Sequence, residues 1–288
     1  MRHNAAEVSF ATAESWVILS PIEMSIKRKI ESVGVPLREW DINIYRGVLT
    51  GYNEAFIIST DKRNEILANC QSDEERQRTE ELIRPILRGR DIKRYGYEWA
   101  DLWLIYIPWH FPYQFDESIQ GASEKAEIAF KEQYPAVYSH MLQYKEPLSK
   151  RNKAETGIRY EWYALQRWGA KYWDDFYSAK IIFQEIVQES QFCFDEKGEF
   201  MCNDTCRIIS GTHLPFLLHI LNSKLFFYCV KNFYGGGGLG DGVRMKHTFF
   251  LKFPCIRPIQ DMVISESDDW IYVRYNLTPE EISVIEQL

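Results

Sequence analysis

The segment 84–94 concentrates positive charge in a chain whose formal net charge is −7. Its five cations, set against the single carboxylate of Asp91, are Arg84, Arg88, Arg90, Lys93 and Arg94. Gly89 lies in the middle, where the backbone can turn sharply or approach another molecule closely. Cations grouped around such a bend are typical of contact with a phosphate backbone. The alternative is a solvated turn between a helix and a strand.

A second group of candidate residues stands in the glycine-containing turn 50–53. Thr50, Tyr52 and Asn53 offer hydroxyl and amide groups, and an Asn side chain can bond adenine through two hydrogen bonds. Alternatively, Asn53 bonds its own backbone in a β-turn. We expect the turn and the segment 84–94 to share one surface, since recognition needs base contacts and phosphate contacts in one site. Lone lysines that are further candidates for phosphate contacts are Lys180, Lys224 and Lys246.

Both segments belong to a series of motifs that resembles a known family. The series, in chain order, is GVLTGYNEAF (47–56), IRPILRGRDIKRY (83–95), WLIYI (103–107), Tyr134-Pro135 with LSKR (148–151), KIIFQEI (180–186) and LNSKL (221–225). It resembles the TaqI-like C-terminal specificity domain over roughly residues 25–258. That domain is the target-recognition part of N6-adenine DNA methyltransferases and of single-chain type IIG restriction-modification enzymes. The resemblance implies double-stranded DNA as the partner.

The chemistry of methyl transfer is missing from these residues. The resemblance implies a catalytic Asn/Asp/Ser-Pro-Pro-Tyr/Phe motif, but the sequence contains no Pro-Pro pair. It also lacks the βαβ pattern and glycine-rich first turn of a dinucleotide-type cofactor domain. We therefore expect no catalysis and no cofactor in this chain, which we interpret as a C-terminal fragment or a module whose catalytic half lies on another segment. S-adenosylmethionine is expected in an N-terminal methyltransferase domain of the parent protein and not in the isolated chain. Whether that parent also has a nuclease domain is left open by these residues.

Two alternatives to DNA recognition remain at this point. One is a protein-interaction or structural domain without DNA contacts. The other is an independent nuclease, because Asp91-x-Lys93 is similar to the end of a carboxylate-lysine motif that needs a further acid to bind magnesium. A zinc site at Cys202 and Cys206 with His213 and His219 has the wrong spacing for a zinc finger or ribbon. The six scattered cysteines favour reduced thiols.

Composition and periodicity indicate a folded α+β protein. Its 288 residues are 45% hydrophobic and 15% aromatic, which excludes a disordered chain. No apolar run reaches the roughly 20 residues of a membrane helix, and the N-terminus lacks the apolar core of a signal peptide. We expect a soluble, cytoplasmic monomer. The irregular order of strands and helices predicts a mixed, mostly antiparallel sheet with helical insertions, as in target-recognition domains.

The pattern along the chain predicts individual elements and domain limits. Helices are predicted at 13–31, 61–69, 73–84, 121–150 with a break at Tyr134-Pro135, and 214–230, and a short one starts at Thr278. Strands are predicted at 103–107, 180–187, 192–194, 201–209 and into Pro254, with a β-hairpin over 42–58. The predicted domains are a helical lead-in (1–36), a recognition domain (37–258, helical insertion near 121–150) and an acidic tail (259–288). Six glycines in 235–242 predict a mobile loop.

Overall fold

The computed structural model describes residues 19–237, 240, 242–259 and 265–287. The helices of this part of the chain are α1 (Pro21–Val33), α2 (Asn53–Phe56), α3 (Thr60–Ala68), α4 (Asp73–Leu82), α5 (Glu124–Gln133), α6 (Pro135–Leu142), α7 (Lys145–Lys150), α8 (Leu214–Leu221), α9 (Lys224–Asn232), α10 (His247–Phe250), α11 (Asp269–Arg274) and α12 (Pro279–Glu286). The strands are β1 (Val35–Pro36), β2 (Ile42–Arg46), β3 (Ile57–Ser59), β4 (Ile83–Leu87), β5 (Ile92–Lys93), β6 (Gly96–Tyr97), β7 (Leu102–Ile105), β8 (Lys180–Gln184), β9 (Ile186–Val187), β10 (Phe192–Asp195), β11 (Met201–Cys202), β12 (Cys206–Gly211), β13 (Val243–Arg244) and β14 (Pro254–Cys255).

The chain divides into two compact units. The first holds the described residues within Met1–Ile42, Glu185–Gln191 and Thr212–Leu288, and the second holds Asn43–Gln184 and Phe192–Gly211. The first unit is mainly helical and has two short strand pairs, β1 with β14 and β9 with β13. In this unit Lys29 on α1 pairs with the buried Glu281 on α12 at 2.7 Å, which joins two helices that are distant in sequence.

The second unit contains two four-stranded sheets. One has the order β10-β8-β12-β2, in which β8 lies antiparallel to both β10 and β12. The other has the order β11-β4-β7-β3, in which β11 lies parallel to β4 and the remaining pairs are antiparallel. Branched strand residues and the aromatic side chains of 160–176 form a common core, exemplified by Ile86, Leu104, Tyr163 and Ile182. The predicted α+β class with mixed, mostly antiparallel sheets is confirmed.

Some local signals are confirmed. Thr278 and Glu281 form the expected capping box at the start of α12. Among the described residues the first predicted helix, 13–31, starts later than predicted, at Pro21, where Ser20 and Glu23 form a capping box. The break at Tyr134-Pro135 separates α5 from α6 as expected. Residues 13–18 of the first predicted helix lie outside the described residues.

The predicted hairpin over 42–58 is wrong. Strand β2 belongs to the sheet of β12, whereas β3 pairs with β7 in the other sheet. The alternating pattern identified strand-forming residues but could not choose their partners. Between the two strands, Val48 forms a β-bridge to Asn203 and Leu49 forms one to Arg167.

Other boundaries also differ from the predictions. Helix α4 ends at Leu82, and Pro85 lies inside β4 instead of ending the helix. The predicted helix 214–230 is two helices, because Ser223 caps a new one by accepting a hydrogen bond from Phe226 N. The predicted strand 180–187 is β8 and β9 in different sheets, and 201–209 is β11 and β12 joined by a turn.

The predicted mobile loop 235–242 is described only in part. Residues 238, 239 and 241 lie outside the described residues. Gly236 N donates to Val230 O at 2.9 Å, and Arg244 N donates to Gly236 O at 2.7 Å. The loop therefore begins with anchored backbone, and its mobility remains a prediction.

Candidate nucleic-acid interface

The turn between β11 and β12, residues 203–205, is the point on which the first two motifs pack. From the first motif, Val48 N donates to Cys202 O at 2.8 Å, and Gly47 N donates to Cys206 O at 3.2 Å. From the second, Leu87 O accepts from the Asn203 amide at 3.3 Å. We call Asn203, Asp204 and Thr205 the 203–205 turn. It brings together segments that are about forty residues apart in sequence.

A glycine lies where each motif approaches this turn, and at Gly47 it is required. A Cβ added at Gly47 would lie 1.9 Å from the carbonyl oxygen of Asn203, a distance that no side chain can tolerate. A Cβ at Gly89 would lie 3.0 Å from the Gln184 side chain and 3.1 Å from Thr205 Oγ1. The Gly89 amide donates to that same hydroxyl at 3.0 Å. Close backbone packing therefore explains Gly47, and Gly89 is tightly packed against two side chains.

Arg88 is part of the scaffold of this bend. Its backbone N and its Nε donate to Asp91 Oδ2 at 2.8 and 2.9 Å, and Nη2 donates to Oδ1 at 2.8 Å. Asp91 is only 4% exposed. Burial raises the pKa of this carboxyl, but the hydrogen bonds from Arg88 outweigh it and leave the pKa below its usual value. The two oxygens of Asp91 are thus occupied by Arg88, which argues against the nuclease alternative.

Arg84 is also tied to the protein. Its Nη2 donates to the carbonyl oxygens of Gly198 and Glu199 at 3.1 and 3.2 Å. Its guanidinium lies 4.9 Å from the centre of the Tyr177 ring. Two of the five cations predicted to contact phosphate therefore hold the backbone, and neither is displayed for a ligand.

The remaining cations of the segment reach the surface. Arg90 is exposed and has no ion pair among the described residues. Lys93 Nζ lies 3.4 Å from Glu98 and 3.3 Å from Arg90 O. Arg94 is exposed, with its guanidinium 5.3 Å from the Tyr95 ring centre. Arg90 is the clearest phosphate-binding candidate among them.

The turn 50–53 presents one exposed amide. Thr50 is 3% exposed, and its hydroxyl donates to Asn53 Oδ1 at 2.6 Å. Thr50 therefore orients Asn53 instead of offering its hydroxyl to a base. Asn53 is exposed at the start of α2, and Tyr52 packs half-buried near Tyr144, 6.2 Å between ring centres. Gly51 has a φ of +74°, which favours glycine at this bend.

Arg151 anchors this turn by a hydrogen bond to its backbone. The sequence did not single out Arg151 as a site residue. Its guanidinium donates to Thr50 O, to Ala164 O and, at 3.1 Å, to Trp162 O. It also lies 5.5 Å from the ring centre of Tyr160. Burial lowers its pKa to about 10, so the group stays charged at neutral pH. The LSKR motif at 148–151 was the signal for it, since Arg151 links that motif to the turn.

Two exposed arginines outside the predicted set lie beside the turn. Arg167 and Leu49 exchange backbone hydrogen bonds of 2.9 Å in both directions. The Arg167 side chain is 60% exposed, with Nη2 at 3.9 Å from Glu155. Arg46 precedes the first motif, is about half exposed and pairs with Asp204 at 3.3 Å. Residues 145–180 contain eight Lys or Arg against five Asp or Glu, an excess that includes Arg167, but only the fold brings this side chain to the turn.

The three lone lysines have different surroundings. Lys180 is fully buried, and its ammonium donates to Asp195 at 2.6 Å and to Phe176 O at 2.7 Å. It is not available to a ligand in this structure, and we leave it out of the interface. Lys224 and Lys246 are exposed in the first unit, where Lys224 pairs with Glu286. No described contact joins either of them to the 203–205 turn.

The 203–205 turn thus connects the backbones of the two predicted segments. The exposed groups of this arrangement include Asn53, Arg90, Arg167 and the half-exposed Arg46. No described contact joins the side chains of 50–53 to those of 84–94, and their sharing of one face remains a prediction. In the part of the chain that the structure describes, no group of three His, Cys, Asp or Glu residues is placed to hold a metal ion. Nor is any described helix both long and apolar enough to cross a membrane.

Comparison with known proteins supplies a family. The model of the TaqI-like C-terminal specificity domain matches residues 84–238, more than half of the chain. Among solved structures, the chain is similar to the type IIL restriction-modification enzyme MmeI in complex with DNA, at 16% identity and a TM-score of 0.49, covering 78% of this chain and 26% of that one. It is also similar to the type IIG restriction endonuclease BpuSI, at 12% identity and a TM-score of 0.46, covering 93% of this chain and 28% of that one. The chain thus spans only 26% and 28% of the lengths of these two enzymes. No curated protein matches it in sequence.

Proposed function

This chain belongs to the family of TaqI-like C-terminal specificity domains, and we propose that it recognises a short double-stranded DNA target for a larger restriction-modification enzyme. The observation that carries the proposal is the convergence of the first two motifs on the 203–205 turn, which holds their backbones in fixed positions. Rigid backbone with exposed cations and an exposed amide suits DNA recognition, because phosphate contacts position the protein and base contacts specify the sequence.

In this proposal Arg90, Arg167 and Arg46 contact phosphates, and Asn53 reads a base edge. An exposed guanidinium can bind a phosphate through two parallel hydrogen bonds. The Thr50 hydroxyl donates a hydrogen bond to the side-chain oxygen Oδ1 of Asn53. This bond limits the rotation of the Asn53 side chain and leaves its amide nitrogen to donate to a base. Fixing the side chain before binding reduces the entropy that would be lost on contact with a base.

The finer proposal concerns the parent protein. We propose an adenine-specific DNA methyltransferase or type IIG restriction-modification enzyme in which residues 37–258 form the recognition domain. S-adenosylmethionine would bind in the methyltransferase domain, on which catalysis would also depend. Calorimetric titration of the isolated chain with S-adenosylmethionine tests this part, and binding in the micromolar range would contradict it.

The salt dependence of DNA binding tests the recognition itself. The logarithm of the binding constant falls with the logarithm of salt concentration by about 0.9 per phosphate contact. The double change Arg90→Ala and Arg167→Ala should therefore reduce that slope by roughly two units while lowering affinity for all sequences alike. Arg88 is unsuitable for this test because it holds Asp91.

Lys131, an exposed cation on α5, is the matched control. Lys131→Ala should leave the slope unchanged. An intact slope in the double variant would contradict the assignment of these arginines. Failure of the unmodified chain to shift duplex DNA at low salt would instead favour an interaction domain without DNA contacts.

Asn53→Ala tests base readout separately. The variant should lose about 1–3 kcal/mol of discrimination at a single position of the target and keep the same salt slope. Selection of bound sites from a randomised duplex measures the preference. An unchanged site preference would show that Asn53 does not read a base.

A further inference from the structure

The second unit contains a cavity of about 150 Å³ whose walls are mostly aromatic. Seven aromatic side chains line it, among them Phe115, Trp168 and Trp173. A cavity of roughly this volume with apolar walls accommodates one benzene ring. We call it the aromatic pocket. Its size and lining fit a single flat ring better than an extended or aliphatic ligand.

Besides Leu82 and Pro108, the lining contains three further polar side chains, those of Arg78, Glu81 and Gln114. Gln114 Oε1 and Arg78 Nε are both buried without a hydrogen-bond partner. A buried polar atom without a partner costs about 1–3 kcal/mol, so both side chains would gain by turning these atoms toward a polar ligand. The amide of Gln114, the guanidinium of Arg78 and the exposed carboxylate of Glu81 add hydrogen-bond donors and acceptors to the aromatic lining. A heterocycle with an amino group and a ring acceptor matches this set.

The charges around the pocket distinguish between ligands that prefer aromatic walls. A quaternary ammonium would gain from the ring faces. However, Arg78 stands in the lining, and Arg84 lies 4.9 Å from the ring centre of Tyr177, another lining residue. Arg84 does not line the pocket and is bonded to the carbonyl oxygens of Gly198 and Glu199, so its charge acts only at a distance. Arg78, in the lining, disfavours a cationic ligand and favours one that carries a phosphate.

We propose that the aromatic pocket binds one unstacked nucleobase, and that a pyrimidine with an exocyclic amine fits best. Stacking on aromatic side chains contributes about 1–3 kcal/mol per base. An unpaired base in DNA and a free nucleotide present the same chemistry. The inference rests on the proposed function only in naming DNA as the source of the base.

Tryptophan fluorescence of the full chain provides the assay, since Trp168 and Trp173 line the pocket. Titration with cytidine monophosphate should give saturable quenching, and ribose 5-phosphate and choline should give none. Gln114→Phe fills the pocket and should weaken the quenching at least tenfold. Glu81→Gln changes an exposed residue without removing volume and should weaken it severalfold, whereas Glu80→Gln, on the same helix outside the lining, should not.

A second arm identifies the source of the base. A duplex with one unpaired cytosine should bind the chain more tightly than the fully paired duplex, and Gln114→Phe should abolish the difference. If cytidine monophosphate quenches but the two duplexes bind equally, the base binding stands and its source is a free nucleotide.

Two results would overturn the inference. They are quenching by choline equal to that by the nucleotide, and quenching by no nucleotide at all. If the paired duplex still binds in a salt-dependent manner, either result contradicts base binding in the pocket but does not contradict DNA recognition. The reverse pattern, nucleotide binding without any duplex binding, contradicts DNA recognition alone.

Discussion

Replacing Arg151 with Met should destabilise the protein by about 2–4 kcal/mol. The guanidinium bonds three carbonyl oxygens, those of Thr50, Trp162 and Ala164, and no carboxylate is paired with it among the described residues. Each buried carbonyl that loses its donor costs about 1–3 kcal/mol. Two effects oppose this loss. The variant avoids the desolvation cost of a buried charge, which amounts to several kcal/mol, and the Met side chain fills much of the same volume. The net loss should lower the melting temperature by about 5–10 °C.

The assay for this prediction combines urea unfolding with DNA binding. Lys150→Met is the matched control, because Lys150 is the adjacent residue, is exposed, and pairs with Glu146 on the same helix. Its effect should stay within about 0.5 kcal/mol. Arg151→Met should also weaken discrimination between targets, since the 50–53 turn loses its support, but should leave the salt slope unchanged. Stability equal to that of the control, or a slope lowered by one unit, would refute a positioning role.

Two further predictions concern the bends that carry the exposed groups. Gly47→Ala should destabilise by at least about 2 kcal/mol, because its Cβ would meet Asn203 O, whereas Gly96→Ala, which has open space around it, should change stability by less than about 0.5 kcal/mol. Similar thermal melts for the two variants would contradict the close-packing argument. Burial raises the pKa of Asp91, but Arg88 lowers it by more, so the pKa in the folded state is below the unfolded value of about 4. The carboxylate therefore stabilises the fold above the unfolded pKa, and this stabilisation is lost as pH falls through the folded pKa. Asp91→Asn should therefore be less stable than the wild type at neutral pH and lose less on acidification, as measured by urea unfolding across the acid range; parallel profiles would argue against the ion pair.

The sequence could predict structure where the deciding contacts are local. The capping box of Thr278 and Glu281 lies within four residues of chain, and α12 begins where this signal places it. Pairing of β2 and β3 depends on partners from far along the chain, and alternation contains no information about which partner is chosen. The predicted hairpin failed for that reason.

In the candidate site, the sequence likewise cannot show which charged side chains are available to a ligand. A count of cations in 84–94 treats Arg88 and Arg90 alike, although one is bonded to a buried carboxylate and the other is exposed. Formal charge is set by sequence, but availability is set by what the folded chain places within hydrogen-bond distance. Arg167 shows the converse, since only its backbone pairing with Leu49 brings an otherwise ordinary surface cation to the turn.

In the proposed recognition, the buried and the exposed arginines have different tasks for a physical reason. A DNA contact on a flexible loop would lose conformational entropy on binding, which reduces both affinity and discrimination. Here Arg88 and Arg151 satisfy buried groups of the protein, and the backbones that carry Arg90 and Asn53 are fixed before DNA arrives. Because exposed groups contribute little to the core, they can be exchanged at small cost in stability, whereas the buried arginines cannot. Changes at Arg90 or Asn53 should therefore alter what is bound, and changes at Arg88 or Arg151 should alter whether the site exists.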